Sequence, residues 1–80
     1  MDITARKEHI YNVITDIVRG KQLANRLPDH ALYIAEIWAR LPEYSDADIK
    51  SCINALCRAQ RLEFGHTIND FWFKPKEKQQ

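Results

Sequence analysis

The side chains that could serve in catalysis or metal binding are few, and their spacing suits neither task. The only serines are Ser45 and Ser51. The same half of the chain carries two thiols, Cys52 and Cys57, and one imidazole, His66. A zinc site uses closely spaced pairs of Cys or His, and many phosphate sites use a Gly-rich loop. The sequence contains neither pattern. We therefore expect no enzyme, no metal and no cofactor.

A second set of polar residues has a regular spacing. Lys50, Asn54 and Arg58 recur every four residues, and the small residue Ser51 lies beside them. On a helix this spacing places a cation, an amide and a second cation in one line, which we call the polar ridge. Such a line is either a binding surface or an ordinary solvated helix face.

The polar ridge requires a helix, and the residues from Asp46 to about Gln60 predict one. Ser45 followed by Asp48 three residues later is typical of a capping box, with Asp in place of Glu. Asp46 and Asp48 also favour the positive end of the helix dipole. The residues expected to face inward are Ile49, Cys52, Ile53 and Leu56, with Cys57 at the border.

Two helices are predicted before it. The first should run from about Thr4 to Arg19, capped by Asp2 or Thr4 and ended by Gly20. Its apolar stripe consists of Ile10, Val13, Ile14, Ile17 and Val18.

A connector follows the first helix, with a short extended piece expected near Leu23 to Leu27. The second helix should cover about His30 to Leu41, with Asp29 as its cap and Pro42 after its end. Its expected apolar stripe is Ile34, Ile37, Trp38 and Leu41, which makes Trp38 a core residue.

After Leu62 the pattern changes to the two-residue period of strands. Leu62 and Phe64 alternate with Glu63, the loop "GHTIND" follows, and Phe71 and Phe73 alternate with Trp72. This predicts a hairpin with one aromatic face packed on the helices. Trp72 is out of phase, so it either covers the end of the first helix, which we favour, or anchors a partner.

Composition and charge limit the possible functions. Eighty residues form one domain, and the net charge is only +1, with residues 65–80 leaning positive. Nucleic-acid binding therefore requires folding to gather the cations on one face. The sequence has no signal-peptide pattern and no apolar run long enough for a membrane span. Cys52 and Cys57 are too far apart around a helix to form a disulfide, which suits a reducing cytosol.

The order of helix, connector, helix, tight turn, helix and hairpin resembles a winged helix-turn-helix domain. The segments that carry the resemblance are "AEIWARL", "PEYS", "DADIKSCINALCRAQ" and "RLEFGHTINDFWFKP". In particular the chain resembles small single-domain regulators of pilus operons, with their "AEI…L" second helix and aromatic closing strand. The resemblance implies an α+β, mainly helical fold. It comprises a three-helix winged helix-turn-helix with a C-terminal two-stranded β-hairpin wing over residues 1–76, and a frayed polar tail at 77–80.

This resemblance implies a cytoplasmic bacterial or phage transcription regulator that binds double-stranded DNA. The third helix would enter the major groove, where Asn can bind adenine and Arg or Lys can bind guanine. Arg61 and the lysines after the second wing strand would contact the backbone, and Arg26 and Arg40 could join them. The residues expected to contact DNA are Lys50, Ser51, Asn54, Arg58, Arg61, His66, Thr67, Lys74 and Lys76.

The chain departs from the winged-helix pattern at two points. A glycine commonly precedes the first wing strand, whereas this chain has Gln60 and Arg61 there. The turn before the third helix is also slightly longer than the commonest form. Both departures affect the pose expected for the third helix.

The even charge balance leaves a second interpretation open. The domain could be a winged-helix protein–protein interaction module that does not bind DNA, with an exposed apolar patch that includes Trp72 or Tyr44. In either case one domain of this size offers little contact surface, so we expect a homodimer or a partner protein.

Overall fold

A computed structural model describes residues 3–76 of the chain. Asp2 and residues 77–80 lie outside this range, and with them the expected cap at Asp2 and the expected polar tail. We label the elements in chain order. They are α1 (Ile3–Leu23), β1 (Ala31–Leu32), α2 (a π-helical turn Tyr33–Ile37 continued by a 3₁₀ turn Trp38–Arg40), α3 (Asp46–Arg58), β2 (Leu62–His66) and β3 (Phe71–Pro75).

The three strands form one antiparallel sheet in the order β1-β3-β2. β2 and β3 pair as the expected hairpin, with Phe64 opposite Phe73. On the other side of β3, Ala31 pairs with Phe73, which adds a third strand that the sequence did not predict at this place. The expectation of an extended piece near Leu23 to Leu27 is wrong, because the extended residues come later and are defined by long-range pairing. The fold is of the α+β class.

The hydrophobic core lies between α1, α3 and the inner face of the sheet. Both predicted stripes are buried as expected, with Ile10, Ile14 and Ile49 fully enclosed. The other core residues of these two helices are Val13, Ile17, Val18, Cys52, Ile53 and Leu56. Burial of these side chains fixes which face of α3 remains in solvent.

α1 continues past Gly20, contrary to expectation, and ends at Leu23. Two hydrogen bonds close the end: the N–H of Arg26 donates to the carbonyl of Lys21 (2.8 Å), and the N–H of Asn25 donates to that of Gln22 (3.1 Å). Asn25 has a left-handed φ of 55°. These are the two bonds of a Schellman motif, in which a residue other than glycine, usually Asn, can take the left-handed position.

α2 differs most from the prediction. It begins at Tyr33 and not at His30, and Asp29 does not cap it. Ile34 and Trp38, both expected in the core, are 55% and 50% exposed. The expected stripe assumed 3.6 residues per turn, whereas a π turn, with i to i+5 hydrogen bonds, takes up more residues. The residues that this geometry buries are Tyr33, Ile37 and Leu41.

α3 starts as predicted. The Ser45 side chain accepts a hydrogen bond from the N–H of Asp48 at 3.1 Å, so Ser45 is the N-cap. The helix ends at Arg58, followed by the same Schellman pair of bonds as in α1: Arg61 N–H to Leu56 carbonyl and Gln60 N–H to Cys57 carbonyl. Gln60 has a φ of 64°. A glutamine thus adopts the left-handed conformation that glycine takes most easily.

Candidate nucleic-acid interface

The polar ridge lies on the solvent face of α3. Lys50, Asn54 and Arg58 are all exposed, and so is Ser51. The inward face of the same helix is buried, so the ridge cannot turn into the core without unpacking the domain. Of the expected DNA-contacting residues, these four form the one contiguous set on a single helix.

At the N-terminal end of the ridge, Lys50 is partly neutralised. Its ammonium lies 3.1 Å from a carboxylate oxygen of Asp46 and 5.8 Å from the centroid of the Tyr33 ring. The Tyr33 hydroxyl donates to the other carboxylate oxygen of Asp46 at 2.5 Å. The hydrogen bonds from Tyr33 and Lys50 lower the pKa of Asp46, while burial and this hydrogen bond raise the pKa of Tyr33. The carboxylate therefore joins α2 to the first turn of α3.

At the C-terminal end, the ridge borders a cleft between α3 and the hairpin. Phe64 and Phe71 are 64% and 54% exposed, so the aromatic face of the hairpin is only partly packed on the helices. Phe73 continues that face into the core. We call this the aromatic cleft; its lining residues are Asn54, Cys57, Arg58, Phe64, Phe71 and Phe73. Arg58 makes no ion pair with any residue in the described range 3–76, so its guanidinium is open to a partner.

Arg61 holds the start of the hairpin to α1. Its guanidinium binds both carboxylate oxygens of Glu8 and lies 4.2 Å from the centroid of the Tyr11 ring. The hydrogen bond from Arg61 lowers the pKa of the Glu8 carboxyl. A guanidinium held by a carboxylate and a ring has fewer free donors for a phosphate, so this cation serves first in packing.

The other two hairpin cations also have protein partners. Lys74 binds both oxygens of Asp29 at 3.0 and 3.1 Å, which ties β3 to the connector. Lys76 donates to the side-chain carbonyl of Gln60. Arg26 and Arg40 lie elsewhere, in a cleft between α1 and α2. Thus the cations expected to form one backbone-contacting cluster have separate partners.

The hairpin loop is closed by its own polar groups. The N–H of Thr67 donates to the carbonyl of Asp70 at 2.7 Å, and the Thr67 hydroxyl accepts from the N–H of Asp70 at 3.0 Å. His66 is exposed and lies edge-on to Phe71, with 6.4 Å between ring centroids. Of the two residues expected to contact DNA from the loop, Thr67 lies in the loop, whereas His66 is the last residue of β2.

Asp70 anchors this loop to α2. Its carboxylate accepts hydrogen bonds from the N–H groups of Ile34 and Ala35 at 2.9 to 3.2 Å, and from that of Phe71 at 2.7 Å. It therefore acts as a cap supplied from a distant part of the chain. The first-turn N–H groups of any helix need such an acceptor. Sequence reasoning missed this residue because the loop and α2 are more than thirty positions apart.

A partly buried ion pair holds α2 to α1. Lys21 is only 8% exposed, and its ammonium donates to Glu36 at 2.5 Å and to the carbonyl of His30 at 2.8 Å. Burial acts to raise the pKa of the Glu36 carboxyl, but the hydrogen bonds from Lys21 and from the N–H of Leu32 lower it overall. This pair was also missed, since the sequence placed Lys21 in the connector.

Trp72 lies on the opposite face of the sheet from the aromatic cleft. Its indole stacks on the His30 ring, with 4.7 Å between centroids and 10° between planes. It also covers Gly65: a Cβ added there would come within 2.5 Å of the indole. Trp72 is therefore half-buried against the connector and β2.

Comparison of the chain with protein-family models, with curated proteins and with solved structures finds no match. Within residues 3–76, no helix is long and apolar enough to cross a membrane. The same residues contain no group of three His, Cys, Asp or Glu side chains arranged to hold a metal ion.

Proposed function

We propose that this chain is a small winged-helix regulator that binds duplex DNA through the polar ridge of α3, with the hairpin against the DNA backbone. The element order and the sheet order β1-β3-β2, in which a short strand precedes the second helix, support the winged-helix part of the proposal. The single observation that carries the functional part is the exposed Lys50, Asn54 and Arg58 line beside the hairpin.

The two aspartates at the start of α3 are compatible with this proposal. Asp46 is occupied by Tyr33 and Lys50, and Asp48 belongs to the capped first turn, with Arg6 3.5 Å away. Both have roles in the fold, and both lie at one end of the ridge. Base contacts would then come from the middle and C-terminal half of the helix, from Asn54 and Arg58.

The test is a fluorescence anisotropy titration with duplex DNA at several salt concentrations. Replacing Lys50, Asn54 and Arg58 together by Ala should weaken binding by about a hundredfold or more, because each base or phosphate contact contributes about 1–3 kcal/mol. It should also reduce the salt dependence, because two cations are lost.

A matched control is available outside α3. Asn12 and Arg19 of α1 and Arg26 of the connector are exposed and supply one amide and two cations, so their triple replacement by Ala removes the same charge. We expect this control to keep most of the affinity. A DNA affinity that does not change with salt concentration, or an equal loss of affinity in the two triple variants, would contradict the proposal.

A second candidate function is a protein-interaction module without DNA binding. The exposed Phe64 and Phe71 of the aromatic cleft favour it, as do the hairpin cations already bound to protein groups. This candidate predicts no duplex binding at moderate salt in the same titration. It also predicts that Phe64→Ala weakens binding of the protein partner more than the ridge variant does.

A further inference from the structure

The outer strand of the sheet, β2, presents an unpaired backbone edge. The sheet order places β2 beside β3 on one side only. In antiparallel pairs, residues alternate between those bonded to the partner strand and those whose N–H and C=O point away from it. Two bonds fix this alternation: Thr67 N–H to Asp70 carbonyl, and Lys76 N–H to Arg61 carbonyl.

These two bonded pairs set the direction of the backbone groups of every residue of β2 between them. Glu63 and Gly65 have backbone groups directed at β3, opposite Lys74 and Trp72. The backbone groups of Leu62, Phe64 and His66 are directed at the open edge. Pro75 of β3 fits this assignment, because it lies opposite Leu62, at a position where the hairpin needs no N–H.

The open edge has few of the features by which proteins keep edge strands unpaired. Natural edges are commonly blocked by Pro, by Lys, by a bulge or by an inward-pointing charge. The five residues Leu62–His66 contain no Pro and no Lys, and pair with β3 in continuous register. Glu63 is the single formal charge, and its side chain lies on the face opposite to Phe64.

We propose that a second copy of this chain pairs with the β2 edge, as an antiparallel strand about a two-fold axis at Phe64. In that register Phe64 lies opposite its counterpart, and Leu62 lies opposite His66 of the other copy. Glu63 then lies opposite Gly65, so the two carboxylates do not oppose each other. The two sheets join into one six-stranded sheet.

Self-complementarity favours a second copy over an unrelated strand. A two-fold interface requires a patch that matches itself, and this strand meets that condition in both hydrogen bonding and charge. The exposed Phe64 ring would gain a ring partner across the axis, since facing aromatic residues on one sheet face stabilise strand pairing. The dimer would also place two copies of α3 on one assembly, although the edge pairing does not depend on DNA binding.

Sedimentation velocity over a wide range of protein concentration measures the association. The unmodified chain should pass from monomer to dimer as its concentration rises. Phe64→Pro should stay monomeric, because it removes an edge N–H while it breaks no hydrogen bond between β2 and β3. Phe64→Val keeps that N–H and suits a strand, so it should still dimerise, though more weakly than the unmodified chain.

Amide hydrogen exchange gives a test without substitution. The Phe64 N–H should exchange more slowly at high protein concentration, whereas the Gly65 N–H, bonded to β3, should be protected at every concentration. If Phe64→Pro does not fold, His66→Pro takes its place, since its N–H also faces the edge. A chain that stays monomeric with a fast-exchanging Phe64 amide, or a Pro variant that still dimerises, would overturn the proposal whatever the DNA titration shows.

Discussion

The outward face of α3 and the β2–β3 hairpin both carry cations, but the partners of those cations differ. On α3, Asn54 and Arg58 are open to solvent, and Lys50 is itself exposed, with Asp46 and the Tyr33 ring beside it. On the hairpin, Arg61 and Lys74 are bound to carboxylates of α1 and the connector. Substitutions in the two regions should therefore have different effects. Those on α3 should change DNA binding, and those on the hairpin should change the free energy of unfolding.

Acid should produce the largest effect, because it acts at once on carboxylates that hold the hairpin, Glu8 and Asp29, and on carboxylates that hold α2, Glu36 and Asp46. The pKa values of Glu8, Asp29, Glu36 and Asp46 are all lowered by their partners. Their contribution to stability is complete above the ordinary pKa values of 4.5 for Glu and 3.8 for Asp, and is lost as pH falls through the lowered values. Urea unfolding at a series of pH values should show a loss of stability below about pH 4.5.

The Arg61–Glu8 pair can be tested alone by replacing the carboxylate with an uncharged amide. Glu8→Gln keeps an oxygen for Arg61 but removes the titrating group, so its stability should fall less between neutral and acidic pH. An acid profile identical to that of the unmodified chain would mean that the Arg61–Glu8 contact does not contribute to folding.

The next largest effect is expected at Gly65. A Cβ at this position meets the Trp72 indole at 2.5 Å, so Gly65→Val must push the ring off His30. We expect a loss of about 2 kcal/mol in the free energy of unfolding, as for other overpacked sites. In a Trp72→Ala background the same substitution should cost much less, which a double-mutant cycle measures. Additive losses would contradict the contact.

Asp70→Ala should cost about 1 kcal/mol, because it removes the carboxylate that caps α2. Asp70→Asn retains one acceptor oxygen and should cost less. Both can be measured by thermal unfolding. An unchanged midpoint for Asp70→Ala would show that α2 does not need the hairpin loop as its cap.

The smallest effect is expected at the two helix ends. Gln60 and Asn25 occupy equivalent left-handed positions, with φ of 64° and 55°. Asn tolerates this conformation better than Gln does. Gln60→Gly should therefore stabilise the domain by about 0.5 kcal/mol, whereas Asn25→Gly should be close to neutral. A destabilised Gln60→Gly would show that the Lys76 contact to Gln60 matters more than backbone strain.

The sequence predicted α1, α3 and the hairpin well because each depends on local patterns. The buried stripe of α3, the Ser45 cap and the change of period after Leu62 are all visible within a few neighbouring residues. Three boundaries were misplaced. α1 continues through Gly20, which can continue a helix when its neighbours favour one, α3 ends at Arg58 and not at about Gln60, and Gly65 and His66 belong to β2 and not to the loop.

α2 and β1 could not be predicted in the same way, because contacts from distant residues define them. Tyr33 is turned inward by a π turn, Asp70 caps the helix from the loop, and Ala31 becomes a strand only by pairing with Phe73. For the candidate site, spacing identified the exposed ridge, but which cations are held by carboxylates depends on the folded chain.

The two cysteines differ in a way that is useful for experiments. Cys52 is enclosed in the core, whereas Cys57 is half-buried and lines the aromatic cleft, and burial raises the pKa of both thiols. A maleimide dye applied to the folded protein at mildly alkaline pH should therefore attach to Cys57. The unmodified chain thus offers its own fluorescent labelling position, a few ångströms from Asn54 and Arg58, where the arrival of a duplex would change the emission.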